Sequence, residues 1–177
     1  MVRRYRRMWT DWQAPCLQSL VDLVQTQSKA TLVEWCLGYA EQHLAPIYGQ
    51  AFPGDERPLH ALQGARAWLR GEVKLPAVKG IILQEAHAAA REAEGHPAAQ
   101  GAARAIAQCA SSIHAARHCL GLALYGALAL AYQRLGPEAP WEELERAAAE
   151  ECGRMEAALR AMAVADEPHP ARIDWRC

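Results

Sequence analysis

Cys119-Leu120-Gly121-Leu122-Ala123-Leu124-Tyr125-Gly126-Ala127-Leu128-Ala129-Leu130-Ala131-Tyr132 is the longest uncharged apolar run in the chain. Its fourteen residues fall short of the ~20 that a bilayer-spanning helix needs. A helix that is apolar nearly all round belongs in the middle of a bundle. The run therefore predicts a central helix over about 112–135, with the other helices packed around it.

The remainder of the 177 residues supports that reading. There are 37 alanines and a single phenylalanine; alanine is the best helix former and a poor strand former. Pro140 opens a stretch with Glu142 and Glu143 in its first turn, where the helix dipole favours negative charge. It carries Leu144, Ala148, Cys152, Met155, Leu159 and Met162 on one face. Upstream, Pro15 introduces Leu17, Leu20, Val21 and Val24 at helical spacing, and Ser28 is placed to cap a helix that ends near Pro46. Further helices run from about Pro58 to Gly71, from Pro76 to Gly95 and from Pro97 to the Ser111-Ser112 pair. No two-residue alternation marks a strand. The expectation is an all-α single domain of about seven helices over 15–165. A basic, flexible arm over 1–14 precedes it, and an extended tail over 166–177 follows, in which Ile173 and Trp175 can dock back on the body.

Composition also narrows the function. The net charge is −1, whereas a protein built to coat nucleic acid carries a basic surplus. The dense basic run Arg3-Arg4-Tyr5-Arg6-Arg7 reads as a solvated terminus, and the polar stretch after it rules out a secretory signal. The six cysteines are scattered without a C-x-x-C pair, as expected of reduced cytoplasmic thiols packed as small hydrophobes. Neither a dinucleotide-binding glycine motif, nor a phosphate-binding loop, nor a G-x-S-x-G elbow is present. No cofactor or catalytic residue is expected.

The most suggestive polar group lies on the predicted central helix. His114, His118, Gly121, Tyr125 and Tyr132 fall on one stripe of a regular α-helix. Glu85 continues the apolar face of Val78, Ile81 and Ile82, and a buried acid needs a partner, which a histidine of the stripe could supply. His114, His118, Tyr125 and Glu85 are thus the candidate binding residues, either as a pocket or as an internal network. Two histidines at i, i+4 do not make a metal site, and no metal is expected. Trp35 and Trp68 lie on apolar helix faces and suit the core. Trp9, Trp12, Trp141 and Trp175 sit near element ends, where exposed members would suit a partner surface.

Several stretches resemble the immunity proteins of bacterial polymorphic-toxin systems. They are Glu34-Trp35-Cys36 through Tyr39-Ala40-Glu41, Arg57-Pro58 through Ala65-Arg66-Ala67-Trp68-Leu69-Arg70-Gly71-Glu72, His87-Ala88-Ala89-Ala90-Arg91-Glu92-Ala93, and His118 through Leu124-Tyr125. The likeness covers about residues 30–133, with an echo in Glu150-Glu151-Cys152 through Met155-Glu156-Ala157-Ala158-Leu159. Arg66 to Glu72 is its most specific part, and Cys119 departs from the alanine expected after the family's histidine. The resemblance implies a small all-helical cytoplasmic protein that binds and neutralises a toxin without catalysis. Its partner would be a protein, with no nucleic acid or membrane role; self-association is left open. The other reading is a small helical enzyme or ligand-binding protein that uses the polar stripe.

Overall fold

Proline and glycine set the helix ends where their backbone constraints place them. The structure, a computed structural model, describes residues 5–175; Arg3 and Arg4 of the basic run lie outside the described residues. A 3₁₀ turn at Pro15–Leu17 leads into α1, Gln18–Gln25. Helix α2 starts at Lys29, with the Ser28 hydroxyl accepting from the Thr31 amide at 3.2 Å as an N-cap. It runs through Lys29–Tyr39, a π turn at Ala40–Leu44, and Ala45–Ala51. Helix α3 is Arg57–Leu69. Helix α4 comprises Leu75–Ile81, a π turn at Ile82–Ala86, and His87–Glu92. Helix α5 is Pro97–Ser111. Helix α6 comprises a 3₁₀ segment Ala116–Leu120, a π turn at Leu122–Gly126, and Ala127–Leu135. Helix α7 is Trp141–Met162. No strand occurs among the described residues.

Two boundaries differ from the sequence reading. Pro46 does not end its helix. The π turn directly before it has already left the regular i→i−4 pattern, so the missing proline N–H interrupts little and the rod continues to Ala51. The predicted central helix also starts later than residue 112. After α5, residues 112–115 turn, and helical backbone resumes at Ala116.

The centre of the bundle is a pair of helices. Leu124 is half-buried while Leu128 is fully buried, so α6 is central as expected. It shares that place with α5, in which ten of fifteen residues are buried, nearly all of them alanine, glycine or cysteine. Small side chains let helix axes approach toward ~8 Å, and α5 packs against α2, α3, α4 and α6. The π turns of α2, α4 and α6 all lie against it. Antiparallel contact with α6 runs on glycines: Gly101 faces Ala129, Gly126 faces Ala105, and Gly121 faces Gln108. Helix α7 covers α6 and the start of α2, and the Trp35 indole donates to the Met155 carbonyl at 2.9 Å.

Both ends of the described stretch lie against this body. Residues 5–14 belong to the N-terminal arm in the sequence reading. Yet Trp9 is buried with its indole N–H donating to the Ala123 carbonyl at 2.8 Å. The Tyr5 ring packs edge-on to Tyr132, and the Arg6 guanidinium lies 3.9 Å from the Trp141 ring. These aromatic contacts bury more apolar area than a solvated arm could leave in water. At the other end, the Ala171 amide donates to Gln27 and Trp175 stacks on Trp12 at 5.1 Å. Every tryptophan is at least half-buried, so the exposed-tryptophan surface does not form.

Candidate functional site

The polar stripe disperses in three dimensions because α6 is not a regular helix where the stripe begins. His114 sits in the turn before the helix, His118 in its 3₁₀ segment and Tyr125 in its π turn. The 3.6-residue periodicity therefore fails across the segment. The His114 and His118 rings still meet at 5.2 Å, and His118 Nδ1 donates to the Gln108 Oε1 of α5 at 2.7 Å. Tyr125 lines a cavity of about 210 Å³ with Gln108, Arg104, His87 and Arg91. Tyr132 turns away to donate to the Arg6 carbonyl.

Glu85 does not join them. Its carboxylate lies 2.7 Å from His60 Nδ1 of α3 and is about one-third exposed. The π turn that contains Glu85 carries it off the apolar face of Val78 and Ile82 toward the α3–α4 boundary. The acid that is buried is Glu151 of α7, which pairs with Arg154 and, at 3.6 Å, with Arg134. Its charge helps push the Tyr39 phenol up to about 12, after burial as the larger cause.

His114 and His118 belong instead to a belt of arginines and neutral histidines across α4, α5 and α6. Burial first, and then the charges of His114, Arg117 and His87, lower His118 to about 4. His87 is lowered by burial, Arg91 and Arg104. His114 is lowered by burial, Lys79, Arg117 and Lys29. Arg104 itself is lowered by burial and then by Arg7. Among the described residues the charges that lower these four groups are all basic side chains. Among the described residues Arg7, Arg91, Arg104 and Arg117 form no ion pair, and the Arg104 Nε–H is buried without an acceptor. A buried donor without a partner costs about 1–3 kcal/mol.

The contrast with the rest of the surface is sharp. Arg57 pairs with Asp55 and Glu92, Arg66 with Glu34 and Glu41, and Arg160 with Glu156. These arginines each hold a carboxylate in direct contact, which, among the described residues, Arg7, Arg91, Arg104 and Arg117 do not. The belt borders a cleft of about 620 Å³ between the N-terminal segment and α5, lined by Arg6, Arg7, Gln100, Arg104 and Tyr125, with Glu94 also on its wall.

The sequence carried one unused signal for this face. Arg104 is the only charged residue of α5, and a lone arginine in a helix otherwise made of small residues marks a deliberate charge near the core. His87, Arg91, Arg117 and Gln108 gave no such signal, since each is ordinary in its own helix.

The most specific stretch of the family resemblance turns out to shape the scaffold. Arg66 bridges α3 to α2 through Glu34 and Glu41 at 2.6–2.8 Å. Gly71 then ends α3 in the left-handed region, at φ +74°. Its amide donates to Trp68 and the Glu72 amide to Ala67, the paired bonds of a Schellman cap.

An all-helical domain with a glycine-zipped central pair and a basic, carboxylate-poor face is the class of protein that this fold and face define. A family model described as "Imm-5 like putative immunity protein" matches residues 22–158. The chain belongs to that family. No curated protein and no solved structure matches it. No group of three or more His, Cys, Asp or Glu side chains suited to a metal occurs among the described residues, and no helix among them is long and apolar enough to cross a membrane.

Proposed function

We propose that this protein is a non-enzymatic immunity protein that binds a cognate bacterial toxin in the cytoplasm of the producing cell and neutralises it by covering its working surface. The family match over residues 22–158 carries the reading. The arginines of the belt that form no ion pair support it, because charges left unpaired within a chain are available to a partner of opposite sign. Occlusion needs area: a specific interface takes ~800 Å² and about 20–30 residues from each partner. The belt spans three helices and the N-terminal segment, a face of suitable extent.

Co-expression with a candidate toxin encoded next to its gene tests the reading. Survival of the cells, together with co-purification of toxin and this protein as a stable complex, is the expected result. Cells that die while the protein remains soluble and abundant would overturn it.

A further inference from the structure

We propose that the cleft between the N-terminal segment and α5 receives side-chain carboxylates from an acidic segment of the protein partner. The inference rests on the immunity reading for the partner's identity, while the chemistry of the cleft stands on its own geometry.

The cleft brings arginines together from distant parts of the chain, with the Arg6 guanidinium itself resting on the Trp141 ring. Arg6 and Arg7 come from the N-terminal segment, which Trp9 and Tyr5 fix to the body. Arg104 rises from α5 beside Gln100, with Tyr125 of α6 across from it. Packing alone does not account for Arg104. The charge stands in a helix of small residues, its Nε–H is buried without an acceptor, and the charge that acts on it most strongly is that of another arginine, Arg7. A guanidinium offers several donors in a planar fork that matches a carboxylate with two parallel hydrogen bonds. Partial desolvation leaves less water to strip on binding, and low-dielectric walls focus the field of like charges held together.

A protein carboxylate suits this site better than a nucleic acid strand. The chain as a whole carries a net charge of −1 and lacks the surplus that draws nucleic acid. The arginines line a cleft of about 620 Å³, which has room for a short acidic segment. Glu94 on the wall opposes an anion and limits the affinity that any loose polyanion can reach.

The probe is a fluorescein-labelled oligoglutamate peptide, followed by anisotropy at low and at high salt with the full chain. A single-stranded DNA oligonucleotide and inorganic phosphate serve as the other two ligands. The peptide should bind and be released by salt. Arg104→Gln should weaken binding by roughly tenfold or more, as expected for losing one side of a desolvated charge pair. Glu94→Gln should tighten it, a gain that a misfolded variant could not produce. Arg146→Gln, at an exposed position on α7, should change nothing. Peptide binding that ignores both Arg104→Gln and Arg7→Gln would overturn the proposal. So would tighter binding of the DNA, or displacement by phosphate alone without peptide binding. The co-expression assay separates the two readings. Full protection by the Arg104→Gln protein would leave the immunity reading standing and remove the cleft from it. Failure of the wild type to protect, with peptide binding that still depends on Arg104, would do the reverse.

Discussion

Gly121 stands so close to Gln108 that a Cβ on the glycine would lie 2.2 Å from the Gln108 Cβ and 2.6 Å from its Cγ. The obstructing atoms belong to the root of the glutamine side chain, so no rotamer change removes them. The same glutamine holds His118 through its Oε1. Gln108 therefore fixes the spacing of the two central helices and, with it, the position of the histidine.

A glycine-to-alanine pair makes this measurable. Alanine ordinarily stabilises a helix by ~0.5–1 kcal/mol relative to glycine. Gly153 on α7 has no atom within 4 Å of its would-be Cβ, so Gly153→Ala should raise the unfolding free energy from denaturant titration by about that amount. Gly121→Ala should lower stability by ~1–3 kcal/mol through overpacking. Equal and favourable shifts in both variants would mean that α5 and α6 lie farther apart than described here.

The two acids should part company in the same assay. Glu85 is about one-third exposed and pairs with a histidine that is itself about half exposed. Glu85→Ala should therefore cost less than ~1 kcal/mol, as for surface pairs generally. Glu151 is buried between Arg134 and Arg154, and Glu151→Ala should cost ~1–3 kcal/mol. Chemical denaturation of both variants decides the order, and a larger loss at Glu85 would contradict it.

Acid should weaken the fold in two separate windows. The folded state holds His118 at about 4 against an ordinary 6.5, so the unfolded chain takes up that proton first. The His118 contribution is complete above 6.5 and is lost as the pH falls from there toward 4. His87 and His114 are displaced in the same direction and add to the same slope. Asp55 is held well below its ordinary 3.8 by hydrogen bonds from Arg57 and, less strongly, from Tyr48. Its contribution is present above 3.8 and disappears only as the pH falls further. Urea midpoints followed across the range should fall in both windows, and His118→Gln should make the upper slope shallower while leaving the lower one unchanged. An upper slope that His118→Gln leaves unchanged would show that the histidine titrates normally.

The helix ends were legible because proline, glycine and a serine cap act locally. Ser28, Gly71, Pro76 and Pro97 each do in the structure what their backbone chemistry implies. The stripe was not legible, because its logic needed a constant turn and α6 passes from 3₁₀ to π to α within twenty residues. Glu85 failed for the same reason, lying inside a π turn. Arg7, Arg91, Arg104 and Arg117 converge from four places in the chain, and their shared lack of acidic partners appears only once the packing is known.

If the belt is the binding face, its variants should separate protection from stability. Arg91 is exposed and unpaired, and Arg117 is half-buried and unpaired. Arg117→Glu should relieve repulsion on the neighbouring histidines and leave the fold as stable as before or slightly more so, while Arg91→Glu trades relief at His87 for repulsion with Glu92 and should leave stability nearly unchanged. Against an acidic partner surface the same reversals should slow association and reduce its salt dependence, since peripheral charges act mainly on the encounter rate. His118→Ala should show the opposite pattern. It removes the hydrogen bond to Gln108 and should cost about 1 kcal/mol of stability, with little effect on protection while the protein stays folded. Stopped-flow association with the purified toxin, run beside denaturant unfolding of each variant, reads both quantities. Should a folded His118→Ala protein lose protection while Arg91→Glu and Arg117→Glu keep it in full, binding depends on the histidine pocket and the cationic face is idle.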